Sequence, residues 1–239
     1  MAKGRQVRKV ASPKAATRPE DEVLVDIVEV RDRAQDTLNR FRKPLMIAGG
    51  AVLALIIGVI AWKLYVNSQQ KDAVEQMRQA ERLFERDSFA VAMLTTLPGG
   101  FKGFPKIIED FPGTPAANLA NYYSGVCLLN LGKYEAAISY LKDFSAKGAI
   151  MPIMKNGALG DAYSELKDFA QAKSYYKKAV SGVKNDMLTP FYLKRLAMLA
   201  EMEKDYATAR EHYQTLKDEY PSAPEGQDAE KYLIYFEGK

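Results

Sequence analysis

Three stretches of this chain repeat one order of small and aromatic residues. In each stretch an aromatic residue follows a small residue by nine positions, and an alanine follows the aromatic residue by three. The repeated positions are Gly125, Tyr134 and Ala137, then Gly160, Phe169 and Ala172, then Ala197, Tyr206 and Ala209. The copies are offset by thirty-five and thirty-seven positions, and the apolar residues around them recur at helical spacing. Such a period is the signature of stacked supersecondary units, so the sequence predicts an all-α fold of helical hairpins.

Each repeated position has a steric function between two packed helices. The small residue lets the helices touch, the aromatic residue fills the gap beyond the turn, and the alanine again allows close backbone approach. These residues resemble the tetratricopeptide repeat (TPR) over most of residues 70–236. The resemblance implies an α-solenoid of about three to four helix pairs with a C-terminal capping helix. The residues expected to pack the repeats are Gly125, Gly132, Tyr134, Ala137, Gly160, Phe169, Ala172, Ala197, Tyr206 and Ala209.

The copies depart from the repeat pattern at the turn between their helices. Gly132 stands in the turn of the first copy, whereas Lys167 and Lys204 stand there in the later copies. An earlier, degenerate copy shows only Phe89 and Ala92. These departures weaken the pattern but do not change the predicted architecture.

Two similar proline motifs mark the ends of the repeats. EDFPGTP at 109–115 precedes the first full copy, and DEYPSAP at 218–224 follows the last, 109 positions later. Proline ends one helix and starts the next, and this separation is close to three repeats. The Gly-, Pro- and Phe-rich segment 97–113 is predicted to be an insertion in the first unit. The predicted units are a degenerate repeat at 70–117, repeats at about 118–152, 153–188 and 189–222, and a capping helix at 223–237.

An uncharged apolar run precedes the repeats. Residues 45–62 read LMIAGGAVLALIIGVIAW, which at about 1.5 Å per residue nearly crosses a bilayer. We predict a transmembrane helix over 44–66, retained as an anchor. A cleaved signal peptide is the alternative, but the run exceeds the ~7–15 apolar residues usual there. Within the run, Gly50, Ala54 and Gly58 would let a second helix approach closely, although this spacing is common in membrane helices.

The positive charge of the chain lies before this run. The formal net charge is +4, and the excess of Lys and Arg falls in residues 1–43. Residues 1–22 are basic and poor in large apolar residues, which predicts a disordered tail. Apolar residues three or four apart over 23–43 predict a juxtamembrane amphipathic helix, although VLVDIVEV alone would also suit a strand. The positive-inside rule then places the tail in the cytoplasm and residues 67–239 in the bacterial periplasm.

No residue pattern typical of an active site occurs in the sequence. The single histidine, His212, and the single cysteine, Cys127, are 85 positions apart at helix positions where packing residues are expected. There is no phosphate-binding loop, dinucleotide fingerprint or spaced set of metal ligands. The repeats are not basic, which argues against nucleic-acid binding. The sequence therefore predicts a non-enzymatic protein that uses no cofactor, metal or small-molecule substrate.

The TPR resemblance also implies a groove, lined by the first helix of each repeat, that binds protein segments. The expected lining mixes aromatic, aliphatic and Met side chains with few charges, which suits apolar peptides. A basic clamp of the kind that binds chaperone tails is not matched, since Lys194 stands nearly alone. Packing between repeats is the alternative role for about half of these residues. The predicted groove residues are Leu119, Tyr122, Val126, Leu129, Met154, Asp161, Phe191, Lys194, Met198 and Met202.

A basic tail, one span and a small TPR domain together form a specific architecture. With the phrases ANLANYYSGVCLLNLGKYEAAISYLKDF, GDAYSELKDFAQAKSYYKKA and KDEYPSAPE, the chain resembles the YfgM-like ancillary subunit of the SecYEG translocon, in its Bacteroidetes form. The resemblance implies an inner-membrane protein that works beside the translocon with a prolyl-isomerase-type chaperone and assists newly translocated proteins. One alternative is a scaffold subunit of an envelope secretion or motility complex. Another is an organelle-import receptor, which the flanking charges disfavour.

Overall fold

The computed structural model describes residues 19–237, including all side chains in that range except those of 19–29, 36–40 and 98. These residues form ten α-helices and a short 3-10 helix at Pro98–Gly100, and they contain no strand. The predicted all-α class is confirmed. The α-helices are α1 (Pro19–Phe84), α2 (Phe89–Ala92), α3 (Phe104–Asp110), α4 (Pro115–Asn130), α5 (Tyr134–Asp143), α6 (Met151–Glu165), α7 (Phe169–Val180), α8 (Leu188–Met202), α9 (Tyr206–Glu219) and α10 (Pro224–Phe236).

Helix α1 contains the apolar run. Its part Phe41–Phe84 includes an 18-residue window with a mean hydropathy of 2.5, and none of that window is buried. By length and composition it is a candidate membrane span. Helix α1 begins inside the segment predicted as a disordered tail and continues through the predicted helix 23–43 and span 44–66. Residues 1–18 of the predicted tail lie outside the described residues.

The described part of the chain divides into two units between Trp62 and Lys63. In the second unit, α4 packs on α5, α6 on α7 and α8 on α9, so that each pair is a helical hairpin. Helix α10 packs on α8 and α9 and closes the stack, which confirms the predicted α-solenoid with a capping helix.

Each hairpin turn contains one residue with a positive φ angle. Gly132 has φ +70°, and Lys167 and Lys204 both have φ +62° at the equivalent positions. In every case the next residue donates its backbone N–H to the carbonyl oxygen five positions earlier. This is the Schellman pattern of helix termination. Asp87, with φ +54°, ends α1 through the same hydrogen bonds, so the degenerate first copy has the same turn.

Small residues bring the two helices of a hairpin into contact. A Cβ atom added at Gly125 would lie 2.5 Å from Leu141 Cγ, and one added at Gly160 would lie 2.4 Å from the ring of Tyr176. Such distances are too short for a methyl group, so the backbone of the first helix at each glycine lies directly against a side chain of the second helix. The alanines of the second helices are completely buried: Ala137, Ala172 and Ala209.

Both proline motifs end one helix and begin the next. Phe111 after α3 and Tyr220 after α9 have similar backbone angles, φ −124° and ψ 51° against φ −129° and ψ 47°. Pro115 and Pro224 then occupy the first turns of α4 and α10. Proline is favoured there because the first N–H groups of a helix have no intrahelical partner. The repeated sequence therefore has one local structure at both ends of the array.

Candidate partner-binding groove

Five of the predicted groove residues line one cavity of about 350 Å³. They belong to helices α4 and α6 and are Tyr122, Val126, Leu129, Met154 and Asp161. Side chains from the next helices complete the wall, and these were not among the predicted groove residues: Tyr134 of α5, which was predicted to pack the repeats, Tyr176 of α7, and Tyr192 and Arg195 of α8. The cavity therefore joins three consecutive hairpins. We call it the groove cavity.

The other five predicted groove residues lie outside this cavity. Leu119 lines a second cavity of about 690 Å³, and Phe191 lines a third of about 750 Å³. Lys194 forms an ion pair with α10, at 3.5 Å between charged atoms. Met198 and Met202 are 44% and 62% exposed. Phe191 and Met202 are eleven positions apart on α8, which corresponds to roughly 16 Å along the helix axis. The four predicted groove residues on α8 therefore span more than one site.

Glycines of α6 let two tyrosine rings lie against its backbone. A Cβ atom at Gly157 would be 1.8 Å from Tyr192 Cζ, and Gly160 stands in the same relation to Tyr176. The two rings are stacked with centroids 5.9 Å apart. Gly157 was not among the predicted packing residues. Its spacing of three from Gly160 places it on the same helix face, and that spacing is the signal that would have identified it.

Asp161 supplies a partly buried carboxylate to the groove cavity. The Tyr176 hydroxyl donates a hydrogen bond to Asp161 Oδ1 at 2.6 Å, and Arg195 Nε lies 3.8 Å from the same oxygen. Burial raises the pKa of Asp161 above its ordinary value, although the Tyr176 hydrogen bond and the Arg195 charge act in the opposite direction. The Tyr176 hydrogen bond and the Arg195 charge therefore compensate only in part for the cost of burying the Asp161 charge.

Two tyrosine hydroxyls of the cavity have no hydrogen-bond partner among residues 19–237. Tyr122 and Tyr192 are only 9% and 7% exposed. Burial raises the pKa of Tyr122 to about 12 and also raises the pKa of Tyr192, and the negative charge of Asp161 adds to both effects. Both groups are neutral hydroxyls at physiological pH. They can donate or accept a hydrogen bond when a ligand enters.

Cys127 and His212 are not brought together. Cys127 lies completely buried in a cluster with residues of α1 to α4, and burial raises the pKa of its thiol to about 12. The reactive thiolate is therefore absent at neutral pH. His212 lies on α9, where burial lowers its pKa. In the described part of the chain, no group of three His, Cys, Asp or Glu residues is placed to hold a metal ion.

Family profiles for the tetratricopeptide repeat match residues 106–148, 156–181 and 195–223. The first range covers the end of α3 and the hairpin α4–α5, and the other two begin within α6 and α8 and run through α7 and α9. The paired helices are tetratricopeptide repeats. TPR domains bind protein partners, so this TPR domain is a scaffold for protein–protein interaction. Comparisons with curated proteins and with solved structures gave no match.

Proposed function

We propose that this protein is a non-catalytic adaptor that binds partner proteins at the periplasmic side of the Sec translocon. One helix over 44–66 anchors it in a bacterial inner membrane, with the N-terminus in the cytoplasm. Its partners are the SecYEG translocon, a prolyl-isomerase-type chaperone and newly translocated chains. The anchor keeps the groove near the channel exit, which raises its effective concentration there.

The groove cavity is the observation that carries this proposal. Val126, Leu129 and Met154 give it a partly exposed apolar strip, and the rest of its wall is mainly polar. A strip of apolar side chains beside polar groups can hold the side chains of a bound segment and fix its orientation. Methionine also adapts its shape to different partners. Such a surface suits a protein that handles many translocated sequences.

Two further features support the membrane and non-catalytic parts of the proposal. The apolar run at 45–62 has basic residues shortly before it, at Arg40, Arg42 and Lys43. Basic residues are retained on the cytoplasmic side of a membrane helix. TPR proteins are typically interaction scaffolds without enzymatic activity, and the buried thiol of Cys127 is unsuited to nucleophilic chemistry. The translocon itself is proposed on the family resemblance.

Site-specific photo-crosslinking in living cells tests this function. A photoreactive amino acid is placed at Met154 or at Met198 of the full-length chain, and at Gln214 as an exposed control on α9. We expect Met154 and Met198 to capture translocon subunits, the chaperone or newly exported chains, and Gln214 to capture none of them. Capture of only secretion or motility subunits would instead support the scaffold alternative. Equal capture from all three positions would refute binding through the groove.

A further inference from the structure

We propose that the groove cavity selects a lysine side chain in the segment that it binds. This inference rests on the proposed peptide-binding function and specifies the residue type that the groove recognises. The Asp161 carboxylate receives the ammonium group, and the hydroxyl oxygens of Tyr122 and Tyr192 serve as the other acceptors. An ammonium group has three N–H donors, which matches these three acceptors.

The available acceptors follow from the hydrogen bonds already formed. Asp161 Oδ1 accepts the hydroxyl of Tyr176, whereas Oδ2 accepts no hydrogen bond within residues 19–237. The hydroxyls of Tyr122 and Tyr192 are also free of hydrogen bonds in that range, and each residue is more than nine-tenths buried. These three oxygens are not fully buried, since Ser124 Oγ is the one buried side-chain atom without a partner in the described residues, so solvent reaches them until a ligand replaces it. The cavity thus presents three acceptor oxygens that a donor-rich ligand can bind in place of water.

The charges of the cavity favour a cation. Its charged residues are Asp161, Glu165 and Arg195, two negative and one positive. Arg195 neutralises Asp161 weakly, because its Nε stays 3.8 Å from the carboxylate, its side chain is 44% exposed and its guanidinium also lies 5.1 Å from the ring of Phe191. The raised pKa of Asp161 agrees with this incomplete neutralisation. A cationic ligand would compensate the carboxylate, whereas a glutamate in the ligand would be repelled.

The wall beside these acceptors suits the stem of a lysine. Val126, Leu129 and Met154 offer aliphatic contact to its four methylene groups. A lysine in an extended peptide would therefore bury its stem on the apolar wall and place its ammonium group at Asp161.

Binding of matched peptides to the full-length chain in lipid nanodiscs tests the proposal. The probes are fluorescent, acetylated nine-residue peptides of alanine and leucine that differ only at the central position, which is lysine, norleucine or glutamate. Norleucine keeps the stem and lacks the charge. We expect the lysine peptide to bind about tenfold more tightly than the norleucine peptide, because charge-assisted hydrogen bonds are the stronger kind. The glutamate peptide should bind most weakly.

Two variants should change this preference in opposite directions. Asp161→Asn keeps the shape of the side chain and removes its charge, so the affinities for lysine and norleucine peptides should become equal within about twofold. Arg195→Gln removes the competing cation, so the preference for lysine should increase. Asp186→Asn alters a carboxylate of the separate 750 Å³ cavity and should leave the preference unchanged. Melting temperatures show whether each variant is folded.

The preference should also depend on pH. The titratable groups around the cavity are Tyr122 of α4, Tyr134 of α5, Asp161 and Glu165 of α6, Tyr176 of α7, and Tyr192 and Arg195 of α8. The selectivity is present while Asp161 is ionised and is lost as the pH falls through its raised pKa. In Asp161→Asn the lysine-to-norleucine ratio should stay flat across that range.

The outcomes separate this inference from the proposed function. Equal binding of lysine and norleucine peptides, or a lysine preference that survives in Asp161→Asn, would refute lysine selection and leave peptide binding intact. Absence of peptide binding, with translocon partners still captured at Met154, would also refute it while the adaptor function stands. Selective lysine binding without any capture in cells would instead support the cavity's specificity and count against the translocon.

Discussion

At the scale of single residues, a backbone angle decides which side chain each TPR turn favours. Gly132 adopts a positive φ without steric conflict, whereas Lys167 and Lys204 place a Cβ atom in the left-handed region at φ +62°. A residue with a Cβ atom in that conformation destabilises the folded state by about 1–2 kcal/mol. Glycine avoids this cost but loses more chain entropy on folding, so only about half of the difference remains as a gain in stability. Lys167→Gly should therefore raise the free energy of unfolding by about 0.5–1 kcal/mol, and Gly132→Ala should lower it by about 1 kcal/mol.

Urea denaturation of the full chain in detergent, followed by circular dichroism, measures both changes. Lys178→Gly is the control, since Lys178 is an exposed residue with helical backbone in the last turn of α7. There glycine should lower the free energy of unfolding by about 1 kcal/mol. A loss of stability in Lys167→Gly similar to that in Lys178→Gly would contradict the role assigned to the turn.

A second residue-scale prediction concerns the glycine beneath the groove cavity. Gly157→Ala would place a methyl group 1.8 Å from Tyr192 Cζ, so the ring must leave its position. Overpacking of this kind lowers the free energy of unfolding by about 1–3 kcal/mol, and the lysine selectivity should weaken with it. Gly182→Ala is the control, because a Cβ atom there meets no atom within 4 Å. Urea denaturation and peptide binding report the two effects, and equal stability of both variants would refute the close contact.

At the scale of helices, the capping helix α10 protects the last repeat. Phe236 is 1% exposed, and its ring centroid lies 5.6 Å from that of Tyr206 and 6.1 Å from that of Tyr213. Phe236→Ala should lower the free energy of unfolding by about 3–5 kcal/mol, whereas Ile234→Ala, at a position 63% exposed, should cost less than about 1 kcal/mol.

Hydrogen exchange would locate the effect of Phe236→Ala, because repeat proteins are stabilised by neighbouring units. Amides of α9 and α10 should lose protection before those of α6 and α7. Uniform loss of protection along the array would show that α10 does not act as a local cap.

The hairpins were predictable because their packing rules act between residues close in sequence. Spacing alone identified Gly125 and Gly160 as contact points, and the turn residues followed from them. The groove cavity was predictable only in part. Asp161 was found from the repeat register, but Tyr176 and Tyr192 meet it through the stacking of one hairpin on the next. That stacking depends on side-chain volumes across the interface, which no fixed sequence spacing encodes.

At the scale of the whole molecule, the excess of basic charge and the groove cavity belong to different parts of the chain. Residues 1–43 hold eleven Lys and Arg against seven Asp and Glu, whereas residues 67–239 hold twenty-two against twenty-three. The positive-inside rule converts this difference into an orientation, provided that 44–66 crosses the membrane. The proposed work beside the translocon requires that the groove cavity lie on the periplasmic side.

A reporter fusion tests that orientation directly. Alkaline phosphatase fused to the C-terminus should be active, because its disulfides form in the periplasm and not in the cytoplasm. Replacing Arg40, Arg42 and Lys43 with asparagine and inserting three lysines after Val66 reverses the charge difference across the span. Phosphatase activity per molecule should then fall severalfold, since flanking Lys and Arg set the orientation of a membrane helix. An inactive fusion to the unaltered chain, with an active β-galactosidase fusion at the same site, would place the repeats in the cytoplasm. It would refute the translocon proposal while leaving the TPR fold and the lysine selectivity of the cavity to stand on their own measurements.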